Sequence, residues 1–161
     1  MANFTGANVI TASDVTAYQT DAFDFGIASG ASTVTAWLAQ TTNDIFRDLR
    51  IKWWPMYKSN IYTDITVLNT AEMVNTKVDL DQFERAGVYL FLSRFFLPAI
   101  TKFRPEADKD RFERMIEFYS SAYIKEFQTI LEDGVNYDSD AGGSISASER
   151  EPLHSYRRLT R

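Results

Sequence analysis

Four oxygen-bearing side chains near the C-terminal end of the chain have the spacing of metal ligands. Asp138, Asp140, Ser144 and Glu149 occupy positions 1, 3, 7 and 12 of a twelve-residue window, and Gly143 is at position 6. This is close to the spacing of an EF-hand loop, in which carboxylates, a backbone carbonyl and a final bidentate Glu surround Ca²⁺. The stretch is therefore a candidate calcium site.

Three features of the same stretch argue against calcium. Position 5 is Gly142, which removes one side-chain ligand, and the chain holds one such loop without the second loop that normally pairs with it. Pro152, three residues after Glu149, cannot donate the backbone hydrogen bond that a following helix would use there. A Gly-Gly turn between short extended segments explains the same residues without a metal. The sequence leaves both interpretations open.

Residues typical of catalysis are few. The single histidine, His154, stands near the C-terminus, and the chain contains no cysteine that could act as a nucleophile or thiolate ligand. Glu113, Glu117 and Glu126 fall on the polar side of a predicted helix, where carboxylates are usually solvated. A Gly-rich phosphate loop and a His/Glu metal triad are both absent from the sequence. We therefore expect that the chain is not an enzyme.

Composition places the chain in the globular class. It has 161 residues, 45% of them hydrophobic and twelve of them Phe, which is enough to form the core of one domain. The lack of cysteine fits a reducing compartment. No stretch approaches 18 consecutive apolar residues, so we expect no membrane span.

Charge is distributed unevenly along the chain. Residues Arg150–Arg161 contain four Arg and one acid, Glu151, which gives +3; with a net charge of −5, the other residues carry −8. A cationic end on an acidic body predicts either an arm that docks on an acidic partner or a solvated tail. The low pI and the absence of a basic stripe argue against direct DNA binding.

Hydrophobic spacing predicts a short N-terminal helix and a first long helix. Ser13 or Asp14 is a suitable N-cap for the short one. From Thr33 onward apolar residues recur every three or four positions, as on one face of an amphipathic helix, and the Trp-Trp-Pro sequence at 53–55 closes it. We expect the tryptophans of this region to serve a core or an interface rather than a ligand pocket, with Trp-Trp-Pro partly exposed.

Two further long helices follow. Asp79 and Gln82 have the form of a capping box that opens the second, which is apolar almost all round and belongs at the centre of a bundle or at an interface. Pro98 is expected to kink or end it. The third begins near Pro105, carries an apolar seam over about five turns, and ends at Gly134, a typical C-cap residue.

Together these patterns predict an all-α fold, a small antiparallel bundle of three long helices and one short N-terminal helix. Residues 59–77 are partly alternating and β-branched, which fits a short β hairpin or a structured loop equally well. We place the bundle domain at residues 1–134. Residues 135–161 form an acidic Gly turn and an Arg-rich, extended C-terminal arm.

This arrangement resembles the head–tail connector proteins of tailed bacteriophages, also called adaptor, head completion or neck proteins. Three stretches carry the resemblance: the start "ITASDVTAYQ", the helix pair "LDQFERAGVYLFLSRFFLPAI" and "DRFERMIEFYSSAYIKEFQTIL", and the ending "VNYDSDAGGSISASEREPLHSYRRLTR". It covers most of the chain at the level of pattern, because such adaptors have no invariant signature.

The resemblance implies a structural subunit of the virion neck, assembled in the host cytoplasm. Such proteins form a ring, usually of twelve copies, beneath the portal, and connect it to the next neck component or tail terminator while DNA passes through the channel without specific binding. The arm would dock on the portal through Arg150, His154, Tyr156, Arg157, Arg158, Leu159 and Arg161. No cofactor is implied, and the near-EF-hand loop would turn the chain out of the bundle.

Overall fold

Two long helices and a broken third helix enclose the core in this computed structural model. It describes Phe4 and residues 8–101, 106–146 and 149–151, without the side chains at 25, 106–110 and 151. The helices in chain order are α1 (Ala12–Tyr18), α2 (Ser32–Lys52), α3 (Trp54–Ile61), α4 (Ile65–Thr70), α5 (Glu84–Phe91), α6 (Leu97–Thr101) and α7 (Glu106–Asp133). Two two-residue strands, β1 (Val135–Asn136) and β2 (Arg150–Glu151), form an antiparallel pair. The predicted all-α fold class is confirmed.

The N-terminal segment is held against the bundle before α1 begins. Thr11, and not the predicted Ser13 or Asp14, is the N-cap of α1; Asp14 is the third residue of the helix and completes a capping box with Thr11. Val9 and Ile10 are buried, and the Val9 amide donates to the hydroxyl of Thr42 in α2 at 2.9 Å. A Cβ at Gly87 of α5 would lie 2.9 Å from the side chains of both Val9 and Ile10. Gly87 therefore permits the close approach of this segment to α5.

The broken helix is central, as its apolar sequence predicted. Starting from a 3₁₀ turn at Leu80–Phe83, it contacts α1, α2 and α7. Asp79 is its N-cap, as predicted, but Gln82 does not complete a capping box. The Gln82 amide instead donates to the Gly134 carbonyl at 2.7 Å and accepts from the Asn136 amide at 3.0 Å. This side chain therefore joins the start of the central helix to the turn that follows α7.

Pro98 does not end the central helix, so of the two predicted effects, a kink or an end, the second is wrong. The helical path continues to Thr101, but residues Leu92–Phe96 form a π-helical segment just before the proline. In a regular α-helix the Pro98 ring would clash with the carbonyl of Arg94 four residues earlier. The wider π turn makes room for the ring, which explains why the helix continues.

The region 59–77 is neither a β hairpin nor a simple loop. It contains the end of α3, all of α4 and a 3₁₀ turn at Asn75–Lys77. Asp64 caps α4 by accepting from the Thr66 amide at 2.8 Å, a local signal that outweighs the β-branched composition. The expectation that Trp-Trp-Pro would be partly exposed is also wrong for the tryptophans, since Trp53 and Trp54 are buried.

The core is continuous from the N-terminal segment to the turn beyond α7. Its largest fully buried side chains are Trp53, Phe83, Phe91, Phe96 and Phe127. Gly134 ends α7 with φ of 101°, as expected of a glycine C-cap, and Val135 and Tyr137 immediately beyond it belong to the same core. The bundle thus extends past the boundary that we placed at residue 134. Pro105 lies outside the described residues.

Among the described residues, no helix combines the length and the apolar character that crossing a bilayer requires.

Candidate functional site

The candidate calcium residues lie in a loop that is fastened to the bundle at both ends. Tyr137 forms an isolated antiparallel bridge with Val78, and the Asp138 amide donates to the Lys77 carbonyl at 2.8 Å. At the other end, the Glu149 carbonyl accepts from the Tyr137 amide at 3.3 Å, and β2 pairs with β1. The loop therefore leaves the bundle and returns to it at nearly the same point.

Within the loop, Asp138 and Asp140 accept hydrogen bonds from the glycine turn. The two Asp138 oxygens accept from the Gly142 and Gly143 amides, both at 2.9 Å, and Asp140 Oδ1 accepts from the Gly142 amide at 2.8 Å. A Cβ at Gly142 would lie 2.9 Å from that Asp140 oxygen. Ala141 and Gly143 have φ of 60° and 74°, in the left-handed region that favours glycine. The turn is thus built around the two carboxylates.

Glu149 closes the loop from its far end. Its Oε1 accepts from the Ser139 amide at 2.7 Å, the Ser139 hydroxyl at 3.0 Å and the Asp140 amide at 3.3 Å. Its Oε2 accepts from the Ser146 amide at 2.9 Å and hydroxyl at 2.8 Å. These donors favour the charged form, and the Ser146 amide contributes most, so the pKa of Glu149 falls to about 2. The carboxylate remains ionised at neutral pH.

The sequence-predicted ligands are partly brought together. One carboxylate oxygen from each of Asp138, Asp140 and Glu149 lies within 4.8 Å of the others, which is the cluster that a hard cation needs. Ser144 is exposed, and Ser146 binds Glu149 directly rather than standing where a bridging water would. Oε1 of Glu149 already accepts three hydrogen bonds, so a cation would have to displace donors that the loop itself supplies.

A positively charged side chain of the bundle also contacts the loop. The Lys77 ammonium group donates to the Ser139 carbonyl at 2.7 Å. With this cation and the amide donors in place, the arrangement forms a hydrogen-bonded structural turn without a metal. A cation that displaced those donors would still meet three carboxylates.

A cluster of four aromatic rings, Trp53, Trp54, Tyr57 and Tyr137, anchors the loop. The Tyr137 ring centroid lies 5.5, 5.6 and 5.2 Å from those of Trp53, Trp54 and Tyr57. Its hydroxyl accepts from the Val74 amide at 3.3 Å, and burial raises its pKa. Sequence reasoning missed this anchor. An aromatic residue three positions after the predicted C-cap glycine is the signal that could have revealed it.

The predicted docking arm is described only at its first residues. Arg150 is exposed and pairs with Asn136 across the two strands. The other predicted contact residues, His154, Tyr156, Arg157, Arg158, Leu159 and Arg161, lie outside the described residues. The structure therefore fixes where the arm begins, at Glu151 beside β1.

Glu113, Glu117 and Glu126, which the sequence places on the polar side of a helix, lie on α7. Glu113 and Glu117 are exposed. Glu126 is half-buried, with its carboxylate 3.8 Å from the Arg85 guanidinium. Glu126 lies about 180° around the helix from Glu117, so the three side chains do not converge on a common point.

The fold and the loop define a small all-α bundle with a carboxylate-centred turn that fixes the base of its C-terminal segment. Comparison of the chain with protein-family models, with curated proteins and with solved structures gave no match.

Proposed function

We propose that the chain is a structural subunit of a tailed-bacteriophage head–tail connector, and that residues 152–161 dock on the portal protein. The observation that supports this most is the fixed base of the arm. Glu149 is held by five hydrogen bonds, and Arg150 and Glu151 pair with β1, so the cationic residues that follow start from a defined point on the bundle.

The chemistry of the arm suits an acidic partner. Residues 152–161 contain three Arg and no acid, and guanidinium groups bind carboxylates through paired hydrogen bonds. In a ring, usually of twelve copies in connectors of this type, many modest contacts act together because each bound arm raises the effective concentration of the next. The opposite end of the ring receives the next neck component or the tail terminator.

Truncation after Glu151 tests the docking role. Because β2 and the Glu149 hydrogen bonds are kept, we expect unchanged helical content and melting temperature but loss of binding to the candidate portal in a pull-down assay. Replacement of Arg157, Arg158 and Arg161 by Gln should weaken portal binding in the same way. The matched control replaces three exposed cations of α7, Arg111, Arg114 and Lys125, by Gln. Full portal binding by the truncated protein contradicts the proposal.

A calcium-binding regulatory or buffering module is the second candidate, because three carboxylate oxygens of Asp138, Asp140 and Glu149 converge within 4.8 Å. Calorimetric titration with CaCl₂ separates the two functions. Submillimolar binding that disappears in Glu149→Gln supports the calcium module. Absence of heat at millimolar calcium removes it and leaves the loop as the structural base of the arm.

A further inference from the structure

We propose that α7 of one copy packs into a cationic groove beside α2 and α3 of a second copy, in a head-to-tail contact. The contact adds an assembly interface to the proposed function. The closure of a ring through this contact rests on that proposed function. The contact is carried by two surfaces of opposite charge that lie on opposite sides of α2.

The first surface, the α7 stripe, consists of Glu113, Glu117, Ile124 and Gln128. Their spacings of four, seven and four residues place them in one row along the helix, over about 22 Å. All four are exposed, and Ile124 is 62% exposed despite its apolar side chain. Within the described residues neither Glu113 nor Glu117 has an ion-pair partner, although Arg114 is the third residue before Glu117. Considering only the described residues, the stripe thus combines two carboxylates that lack an ion-pair partner with one exposed apolar side chain.

The second surface, the α2–α3 groove, is lined by Arg50, Trp54, Lys58, Ala71, Glu72 and Met73. Its volume is about 350 Å³. The buried side chains of Trp54 and Met73 line the groove on its inner side. Arg50 and Lys58 supply two positive charges, of which Glu72 offsets one. Arg50 donates to the Asn75 side chain at 2.7 Å, which holds its guanidinium at this side of α2.

Two exposed apolar side chains are sequence neighbours of groove residues. Val74, adjacent to the groove residue Met73, is 46% exposed, and Ile51, adjacent to Arg50, is 65% exposed. An apolar side chain such as Ile124 therefore finds matching apolar surface there, while Glu113 and Glu117 find Arg50 and Lys58. The charge complementarity of the two surfaces selects a second copy of this chain as the occupant.

The groove and α7, which carries the stripe, lie on opposite sides of α2. The Asp48 carboxylate accepts a 2.7 Å hydrogen bond from the Tyr123 hydroxyl, and the Lys52 ammonium lies 5.1 Å from the centre of the Phe127 ring, so this side of α2 faces α7. Arg50 is two residues from each, which is about 200° around the helix. The groove therefore opens on the flank of α2 opposite to α7.

This placement determines the symmetry of the contact. Pairing of a stripe with a groove uses two different surfaces and leaves one of each free on the outer copies. Repetition of such a heterologous contact generates a closed ring or an open filament.

Charge reversal tests the pairing. Glu113→Lys with Glu117→Lys in one variant, and Arg50→Glu with Lys58→Glu in another, should each lower self-association at least tenfold in sedimentation velocity at low salt. Mixing the two variants, or combining all four changes in one chain, should restore self-association. Asp133→Lys, an exposed acid of α7 outside the stripe, is the control and should have no effect. Wild-type protein that stays monomeric at millimolar concentration, or reversal without rescue, overturns the proposal.

Disulfide trapping gives a second readout, because the natural chain contains no cysteine. A mixture of Ile124→Cys and Val74→Cys proteins should form a cross-linked dimer on mild oxidation, whereas Thr129→Cys, exposed and about 140° around α7 from Ile124, should not cross-link with Val74→Cys. Equal cross-linking of Val74→Cys with the stripe variant and with the control variant contradicts the proposed contact. Trapping without portal binding would contradict the proposed function alone, and portal binding without trapping would contradict this contact alone.

Discussion

The Arg94 guanidinium lies 3.1 Å from Oδ2 of the buried Asp44 carboxylate and so joins the π-helical segment to α2. The contact is electrostatic rather than directional, since Oδ2 accepts no hydrogen bond from any described residue. The other Asp44 oxygen lies 3.1 Å from the Arg47 guanidinium. Two cations thus compensate a carboxylate that is almost entirely shielded from water.

Removal of Arg94 should therefore destabilise the bundle. We expect Arg94→Met to lower the free energy of unfolding by about 1–3 kcal/mol, since one oxygen of a buried carboxylate loses its partner. Arg111→Met, which removes an exposed cation from α7, serves as the control and should change stability by less than about 0.5 kcal/mol. Urea unfolding followed by circular dichroism measures both. Equal effects would show that the Arg94 contact contributes nothing specific.

Gly87 offers a test of close packing between α5 and the N-terminal segment. Gly87→Ala places a methyl group 2.9 Å from the side chains of Val9 and Ile10, so we expect a loss of about 1–3 kcal/mol. Hydrogen exchange should show faster exchange of the Val9 amide, which is bonded to Thr42. Gly30→Ala, with no atom within 4 Å of the new Cβ, is the control. Stabilisation of the Gly87 variant, as expected of Ala in an unobstructed helix, would contradict the packing.

The depressed pKa of Glu149 gives a pH-dependent contribution to stability. Its folded value of about 2 lies below the ordinary 4.5, so the unfolded chain binds the proton more readily. The contribution is fully present above about pH 4.5 and is lost as the pH falls toward 2. The stability difference between wild type and Glu149→Gln, from urea unfolding at several pH values, should therefore shrink across this window. A difference that is constant from pH 7 to pH 2.5 would contradict the assignment.

Tyr137 should couple the loop to the tryptophan pair. Tyr137→Ala removes a buried ring from the aromatic cluster, and we expect a loss of about 3–5 kcal/mol together with a reduced near-ultraviolet circular dichroism signal. Tyr137→Phe removes only the hydroxyl that accepts from the Val74 amide, and should cost about 1 kcal/mol while preserving that signal. If both variants lose the signal equally, the hydroxyl rather than the ring positions the loop.

Much of the helical architecture was predictable, because long apolar periodicity and caps act locally. The ends of α2 and α7, the N-cap at Asp79 and the central position of the broken helix all follow from such signals. The failures have non-local causes. Gln82 has a capping-box position but binds the turn after α7, and its partners lie more than fifty residues away in the sequence.

The sequence predicted which residue types form the candidate site, but not which groups bind to its carboxylates. The carboxylates of Asp138, Asp140 and Glu149 lie within 4.8 Å of one another, an arrangement that the calcium interpretation of their spacing requires but that the sequence left open. The spacing did not predict that backbone amides and serine hydroxyls of the same loop would be the donors to these carboxylates. That outcome depends on φ of 60° at Ala141 and 74° at Gly143, which turn the Gly142 and Gly143 amides inward. Spacing alone does not encode this backbone path.

The position of β2 determines how tension on the C-terminal segment reaches the rest of the molecule. A pull on residues beyond Glu151 acts first on the two-residue pairing with β1, then on the hydrogen bonds of Glu149, and then on the ring contacts of Tyr137. Only after these would the force reach the last turn of α7. The contacts of the carboxylate turn would therefore break before tension on the C-terminal segment unfolded the end of α7.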